Sequence, residues 1–469
     1  MSSDWPVVTL QDITTILGDG LHGTPKYDQL GDYYFINGNN LNNGRIVITD
    51  KTKRASRKEY EKYKKEFNDR TILVSINGTL GNIAFYNGEK VFPGKSACYF
   101  NVKQTVDKHF VRYMLESRVF QNYIHNLATG STIKNVSLKL MREFSFKLPP
   151  VKIQTSISSI LKSLDEKIQL NQNINQTLEQ MAQAIFKSWF VDFEPVKTKI
   201  AALEAGGSED DALLAAMQAI AGSTLFATDA ADADAPTQLA RLQTEHPEQY
   251  ATLRATAELF PSAMQESELG EIPEGWNVGT LADFSDLNKN SWTAKTIPEE
   301  IDYVDLANTK NGVIESTTKY LSGDAPSRAR RKLFNGDTII GTVRPGNRSF
   351  AFIKQPSGSL TGSTGFAVLS PKSPEFAEYI YIAATSDAAI NHLAYLADGG
   401  AYPAVRSEVV AGITAVVPKS PVLMCFHEMV RPYFDISASL KTGNKTLAEL
   451  RDTLLPKLLS GELSVAEAE

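Results

Sequence analysis

Cysteine and histidine are scarce in this sequence. Among 469 residues there are two cysteines, Cys98 and Cys425, and six histidines, none of them with the spacing of a zinc site. These numbers exclude a disulfide-rich scaffold, and unpaired cysteines fit a reducing compartment. No stretch approaches the roughly 20 apolar residues of a membrane-spanning helix, and the start, MSSDWPVVTL, lacks the pattern of a secretory signal. We therefore expect a cytoplasmic protein that binds no metal and enters no membrane.

Motifs of an independent enzyme are also missing. The segment GKS at 94–96 resembles the end of a phosphate-binding loop, but Gly88 lies one residue too far upstream for that motif. The tetrapeptide of adenine methyltransferases is absent, and LDEK at 164–167 fits surface charge on a helix better than a nuclease site. We expect no catalytic residue and no cofactor bound by this chain.

The acidic net charge of −6 is distributed unevenly along the chain. Residues 1–150 carry 21 Lys and Arg against 14 Asp and Glu, a net charge of +7, whereas residues 201–265 carry 10 acidic and 2 basic residues. A basic body with an acidic segment is compatible with a polyanionic partner such as nucleic acid. The alternative is an ordinary surface of mixed charge.

The second half of the sequence repeats the first half. DWPVVTLQDI (4–13) matches GWNVGTLADF (275–284), and EFNDRTILVSINGTLGNIAFY (66–86) matches LFNGDTIIGTVRPGNRSFAF (333–352). ATGSTIKNVSLKLM (128–141) matches ADGGAYPAVRSEVV (397–410), and the helical NINQTLEQ (173–180) matches TGNKTLAEL (442–450). Blocks in one order at a nearly constant offset indicate duplication of a structural unit.

Each copy combines short β-type runs with a long helix. The runs are rich in β-branched and aromatic residues and are broken by Gly, Asn and Pro, which predicts an irregular, mostly β domain. The helix that follows has apolar residues at alternating spacings of four and three, the heptad of a coiled coil. Pro432 predicts a bend or a helix start. The predicted seam residues are Ile157, Leu161, Leu164, Ile168, Asn175, Leu178 and Ile185 in the first copy, and Val430, Leu440, Asn444, Leu447 and Leu454 in the second.

The fold class predicted from this pattern is α+β. Two mostly β recognition domains stand in tandem repeat, separated by two long helices that pack as an antiparallel coiled coil; the alternative is that each helix lies on its own domain. The predicted domains are 1–150, a first recognition domain; 151–200, a central long helix; 201–266, an acidic, Ala-rich helical insertion with a mobile loop; 267–420, a second recognition domain; and 421–469, a C-terminal long helix.

Polar and basic residues gather in Gly-rich loops at matching places of the two copies. Asn reads adenine edges and Arg or Lys guanine edges, while Lys, Ser and Thr bind phosphate. For any single residue, the alternative interpretation is that it is an ordinary polar residue of a loop or turn. The candidate DNA-binding residues are His22, Thr24, Lys26, Asn37, Asn39, Asn40, Lys95, Ser96, Ser131, Thr132, Lys134 and Asn135 in the first copy, and Arg344, Asn347, Arg348, Ser363, Thr364, Tyr402 and Arg406 in the second.

The chain resembles the specificity subunit of type I restriction-modification systems over nearly its whole length. The resemblance rests on LPPVKIQTSISSILKSLDEKI, LEQMAQAIFKSWFVDFEPVKTKI, GEIPEGW, TGSTIKNVS and the terminal LRDTLLPKLLSGELSV. It implies a non-catalytic subunit that binds a bipartite, asymmetric double-stranded DNA site. It also implies two modification subunits, which methylate adenine N6 with S-adenosylmethionine, and restriction subunits that use ATP and Mg. The long helices would set the spacer between half-sites, which lie about one helical turn (roughly 34–36 Å) apart.

Two features depart from the family pattern, and two other functions stay open. The insertion 201–266 lies outside the usual core, and GGAYPAVRS in the second copy replaces GSTIKNVS. The alternatives are a free-standing bipartite DNA-binding protein without these partners, and an enzyme in its own right.

Overall fold

The computed structural model describes residues 5–130, 134–224, 235–293, 295–397 and 403–465. They form two compact units, one of residues 1–170 with 443–469 and one of residues 171–442. The boundary between the two units falls inside the two long helices, at residues 170–171 and 442–443. It does not test the predicted domain boundaries, which stay predictions. Three predicted site residues, Ser131, Thr132 and Tyr402, lie outside the described residues.

Short strands dominate the first unit. Its strands are β1 (Val7–Thr9), β2 (Thr14–Asp19), β3 (Tyr33–Ile36), β4 (Leu41–Asn42), β5 (Arg45–Ile46), β6 (Arg54–Ala55), β7 (Thr71–Ser75), β8 (Ile83–Phe85), β9 (Val91–Pro93), β10 (Ala97–Val102) and β11 (Ser145–Lys147). Its helices are α1 (Arg57–Tyr63), α2 (Lys108–Glu116), α3 (Arg118–Leu127), α4 (Leu138–Glu143) and the first half of α5 (Val151–Phe190).

Two sheets organise the first unit. The main sheet is antiparallel with the order β2-β10-β7-β8, and the small sheet has the order β6-β3-β9, in which β3 and β9 are parallel. Every residue of β10 is buried, because the main sheet is covered on both faces. Ile72 and Phe100 of the main sheet share one core with Phe110 of α2 and Phe120 of α3.

The second unit adds an all-helical segment before its β-rich part. Its helices are the second half of α5, α6 (Glu194–Glu204), α7 (Glu209–Thr224), α8 (Ala235–Glu245), α9 (Pro247–Glu258), α10 (Leu281–Phe284), α11 (Ala377–Thr385), α12 (Asp387–Ala397), α13 (Ser407–Ala411) and the first part of α14 (Ser420–Ser460). Its strands are β12 (Met264–Ser267), β13 (Gly270–Pro273), β14 (Asn277–Thr280), β15 (Ser285–Leu287), β16 (Glu300–Val304), β17 (Thr309–Lys310), β18 (Val313–Ile314), β19 (Thr318–Leu321), β20 (Ala329–Lys332), β21 (Thr338–Gly341), β22 (Phe350–Phe352), β23 (Leu360–Ser363), β24 (Phe366–Pro371) and β25 (Thr414–Val417).

The strand order of the second unit repeats that of the first. Its main sheet runs β15-β24-β21-β22, and its small sheet runs β19-β16-β23-β20 around a parallel pair, β16 and β23. The two-stranded pairs β1–β11 and β14–β25 also correspond. The predicted tandem repeat of α+β units is therefore present in the fold.

The long helices α5 and α14 are antiparallel within each unit. In the first unit, Asn444 Nδ2 lies 3.3 Å from the carbonyl oxygen of Ile168, and further along, Leu161 shares a core with Leu458. In the second unit, the rings of Phe190 and Phe426 lie 5.0 Å apart. Since Leu458 lies in the core of the first unit, the alternative in which each helix packs only on the domain before it is wrong for this part of α14.

The predicted seam residues follow the buried side of these helices. Four are fully buried: Ile157, Leu161, Ile185 and Val430. The others are half-buried: Leu164, Ile168, Asn175, Leu178, Leu440, Asn444, Leu447 and Leu454.

Two local expectations need correction. Helix α14 runs unbroken from Ser420 to Ser460 through Pro432, so no helix starts there. The central helix ends at Phe190 rather than near residue 200, because Phe193 adopts the left-handed conformation (φ 55°) before α6 begins. The insertion forms helices α7, α8 and α9, and its Met217 and Phe260 are buried in one core with Trp189 and Trp276. The predicted mobile loop falls largely on residues 225–234, outside the described residues.

Candidate nucleic-acid interface

Three loops of the first unit are joined by backbone hydrogen bonds next to the ends of β7 and β9. The amide of Ile76 donates to the carbonyl oxygen of Ser96 (2.9 Å), and that of Val136 donates to Ile76 (2.8 Å). The amide of Gly78 donates to Lys134 (3.0 Å). These bonds bring together predicted site residues far apart in sequence. We call this surface the first loop platform; it comprises residues 76–81, 94–96 and 134–136.

The second unit has the same backbone frame. The amide of Thr342 donates to the carbonyl oxygen of Gly365, that of Val405 donates to Thr342, and that of Arg344 donates to Pro403, each at 2.9 Å. The three bonds match those of the first unit one for one. We call this surface the second loop platform; it comprises residues 342–348, 363–365 and 403–406.

The two loop platforms carry different side chains at corresponding positions of their backbones. In the first platform, Asn77 pairs with Asn135, and Asn77 Nδ2 donates to Asn135 Oδ1 at 3.0 Å. The corresponding pair of the second platform is Val343 and Ala404, which offer no polar side-chain atoms. One backbone therefore presents two chemically different surfaces. Sequence reasoning missed Asn77; its place after the run TILVSI, in line with the candidate Arg344 loop, was the available signal.

Several predicted site residues near β3 have internal partners. Ser96 Oγ donates to Asn37 Oδ1 (2.9 Å) and accepts from the amide of Gly38 (3.0 Å). Asn40 Oδ1 accepts from the amide of Asn37 (3.0 Å), and Asn40 Nδ2 donates to the carbonyl oxygen of Val47 (3.0 Å). These side chains shape the loop in the free protein, whereas the neighbouring Asn39 is exposed.

The loop after β2 lies beside the first platform. A bridge joins Leu21 to Gly94, and the amide of Lys95 donates to Leu21 (3.0 Å). His22, which is 68% exposed, lies with Nε2 2.6 Å from Asp19 Oδ2. The remaining predicted residues of this region are also exposed: Thr24, Lys26, Lys95 and Lys134.

Two arginines of the second platform have strained backbones. Arg344 and Arg348 flank a short turn with φ angles of 48° and 60°, a region that side chains with a Cβ rarely adopt. Arg348 is held internally, since Nε donates to Asn311 Oδ1 (3.0 Å) and Nη1 lies 2.8 Å from Asp387 Oδ1. Arg344 is exposed and carries the strain without a side-chain partner in the described part of the chain.

The other predicted residues of the second platform divide by exposure. Ser363 is buried, and its Oγ accepts from the amide of Gly365 (3.2 Å), so its hydroxyl is a structural group here. Asn347, Thr364 and Arg406 are exposed. The prediction that these residues contact DNA stays a prediction.

No metal centre accompanies these loops within the described residues, where His, Cys, Asp and Glu form no group of three or more suited to a metal ion. Burial raises the pKa of the Cys98 thiol far above its usual range, so this cysteine is a core residue rather than a nucleophile. Among the helices of the described ranges, none has the length and apolar character needed to cross a membrane.

Comparison with known proteins identifies the family. A model for the type I restriction modification DNA specificity domain matches residues 2–180. The type I restriction enzyme HindI specificity subunit of Haemophilus influenzae is 30% identical over 367 residues, which cover 76% of this chain and 77% of that protein. This chain belongs to the family of type I restriction enzyme specificity subunits.

Other specificity subunits extend the match to the whole chain. The MjaIX specificity subunit of Methanocaldococcus jannaschii is 22% identical over 481 residues, covering 99% of this chain and 94% of that protein. The crystal structure of the type I restriction-modification S subunit from M. genitalium covers 97% of this chain and 96% of its own, with a TM-score of 0.51 and 17% identity. The resemblance read from the sequence and the α+β fold are both confirmed.

Proposed function

We propose that this chain is the DNA-reading subunit of a type I restriction-modification complex. Each loop platform reads one half of a bipartite, asymmetric double-stranded site. The observation that carries the proposal is the pair of platforms with one backbone frame and different side chains, Asn77–Asn135 in one and Val343–Ala404 in the other. Two readers of unlike half-sites need this combination, because base specificity comes from side chains that a rigid backbone positions.

The chain itself performs no chemistry in this proposal. Two modification subunits supply adenine-N6 methylation with S-adenosylmethionine, and restriction subunits supply ATP- and Mg-dependent translocation and cleavage. The assembly acts in the cytoplasm. Methylation or cleavage of DNA by the purified chain alone would overturn this division of labour.

A domain exchange tests the reading of half-sites. Replacing residues 1–150 with the recognition domain of another specificity subunit is expected to change one half-site and to leave the other half and the spacer unchanged. The readout is genome-wide mapping of methylated adenines in cells that carry the complete system. A change in both halves would contradict the assignment of one half-site to each platform.

A helix insertion tests the role of α5 in spacing. Four extra residues lengthen a helix by roughly 6 Å, so an insertion in the exposed region near Leu170 is expected to lengthen the spacer by one or two base pairs. An unchanged spacer length in the same methylation map would contradict the role of α5 in setting the spacer.

The runner-up is a free-standing bipartite DNA-binding protein. Co-expression with the modification subunit, followed by affinity capture of this chain, separates the two functions. Co-purification supports the specificity subunit, and capture of the chain alone favours the runner-up.

A further inference from the structure

Most of the net positive charge of the first recognition region lies in one short segment. Residues 51–65 contain eight Lys and Arg and two Glu, a net charge of +6 out of the +7 carried by residues 1–150. The candidate site residues predicted from the sequence include none of these cations. We call residues 51–65 the basic segment.

The basic segment runs along the edge of the small sheet, next to the loop that follows β3. The amide of Phe35 donates to the carbonyl oxygen of Lys53 (2.9 Å), and Asn40 Nδ2 lies 3.4 Å from Thr52 Oγ1. Strand β6 within the segment pairs with β3 on the side opposite β9. The segment is therefore linked across the small sheet, through the parallel strands β3 and β9, to residues 94–96 of the first loop platform.

Tyrosine rings support cations of this surface. Tyr33 and Tyr60 stack with ring centroids 4.1 Å apart. Four cations lie over rings: Lys62 over Tyr63 at 4.7 Å, Arg54 over Tyr34 at 5.2 Å, Lys53 over Tyr27 at 5.9 Å, and Lys90 over Tyr33 at 6.0 Å. A cation held over a ring keeps its charge and loses less side-chain freedom when it binds an anion.

The charge of the basic segment is largely uncompensated. Within the described part of the chain, Lys64 is the one cation of the segment in an ion pair, at 2.5 Å from Glu61. Lys51, Lys53 and Lys58 are exposed. Like charges kept so close together raise the local potential and attract a polyanion.

We propose that the basic segment binds the phosphate backbone of duplex DNA beside the half-site that the first loop platform reads. This inference rests on the proposed function and adds a sequence-independent anchor to it. Residues 267–420 carry 14 basic and 17 acidic residues, a net charge of −3, so the second recognition region has no net excess of positive charge, although it contains the short basic run RARRK at 328–332. The two readers therefore divide the work unequally: the first contributes most of the salt-dependent affinity.

The experiment measures DNA affinity against salt concentration for the full chain, alone or with its modification subunits. The variant K51Q/K53Q/K58Q is compared with the wild type, using a fluorescent duplex of about 30 base pairs with arbitrary sequence and one carrying the target. Each lost phosphate contact flattens the slope of log K against log salt by about 0.9. We expect a slope flatter by about 2 to 3, and an affinity at low salt reduced at least about tenfold for both duplexes.

Matched variants separate charge from structure. K51R/K53R/K58R retains the charges and is expected to keep the wild-type slope. K152Q/K162Q/K167Q removes three exposed lysines from α5 in the same unit and is expected to leave the slope unchanged. Thermal melting verifies that each variant is folded.

Three results would overturn the inference. They are a wild-type slope in K51Q/K53Q/K58Q, an equal loss in the α5 variant, and a loss confined to the duplex that carries the target, which would show a sequence-specific contact instead of a phosphate anchor. If the wild-type chain binds its mapped target and only these comparisons fail, the anchor is wrong and the proposed function stands. If the wild type binds no duplex at all, both fail.

Discussion

The carboxylate of Asp165 joins three helices of the first unit, and its removal is the sharpest available test of how the recognition domain is fixed to the long helices. Asp165 lies on α5 and accepts hydrogen bonds from Tyr113 OH (2.8 Å) and Arg112 Nη2 (3.1 Å) of α2. It also accepts from Arg451 Nη1 of α14 (2.9 Å). Its side chain is 18% exposed, so these bonds are shielded from water.

We expect Asp165→Ala to lower the free energy of unfolding of this unit by about 2–3 kcal/mol. Breaking a buried ion pair costs about 3–5 kcal/mol when the remaining charge has no partner. Here Arg112 keeps Glu116 at 2.8 Å and Arg451 keeps Asp452 at 2.8 Å. The reduced cost is that of Tyr113 OH losing its acceptor, together with the weakened pairing of two arginines.

Hydrogen exchange and urea denaturation measure this effect. Faster exchange is expected in α2 and in residues 443–460 of α14, and little change is expected in α11, which belongs to the other unit. Asp452→Ala is the matched control, because its carboxylate is 63% exposed and such pairs contribute little. A loss below about 0.5 kcal/mol, or equal losses in both variants, would refute the reasoning.

Two further perturbations address the loop after β3 and one buried carboxyl. A Cβ at Gly38 would lie 2.0 Å from Ser75 Oγ, so Gly38→Ala is expected to abolish reading of one half-site in the methylation map. Gly23→Ala is the control, because a Cβ at Gly23 meets nothing within 4 Å. Equal effects of the two substitutions would contradict a role for this loop in reading the half-site. Burial raises the pKa of Asp337 to about 6 from 3.8, so between about pH 4 and 6 the folded state binds the proton more tightly than the unfolded state. The free energy of unfolding therefore falls as pH rises through that window, by about 3 kcal/mol at most; Asp337→Asn is expected to flatten this dependence in urea titrations, and an unaltered dependence would disprove it.

Local patterns account for the parts of the fold that the sequence predicted. The alternating spacing of four and three between apolar residues predicts α5 and α14 because the period of a helix is visible in the helix's own sequence. Runs such as TILVSI mark β7 for the same reason. The repeat then transferred each assignment from one copy to the other. Nothing in these patterns required the hydrogen bonds that Ile76 shares with residues 96 and 136, which lie 20 and 60 positions away.

Tertiary contacts supply what composition and loop polarity could not. The composition of the insertion 201–266 shows its acidic charge but not that Met217 and Ile220 are buried in one core with Trp189. Asn37 and Ser96 are predicted DNA-binding residues because polar loop residues are typical of recognition sites, and that prediction stays a prediction. They are bonded to each other in the structure, and only coordinates distinguish a loop-shaping hydroxyl from an available one.

The two recognition regions can differ in net charge because their common backbone frame does not fix the identity of the surface side chains. A backbone frame repeated in both units leaves each copy free to change its side chains without changing its fold. Phosphate anchoring is needed for affinity but carries no sequence information, so one strong anchor can serve both readers of a single chain. In the proposed function, the basic segment of the first unit anchors the chain on DNA, so the second platform can lose positive charge and still read its half-site, because the two are covalently linked. The proposal therefore predicts that raising the salt concentration weakens binding to both half-sites together, although the basic segment lies in one unit.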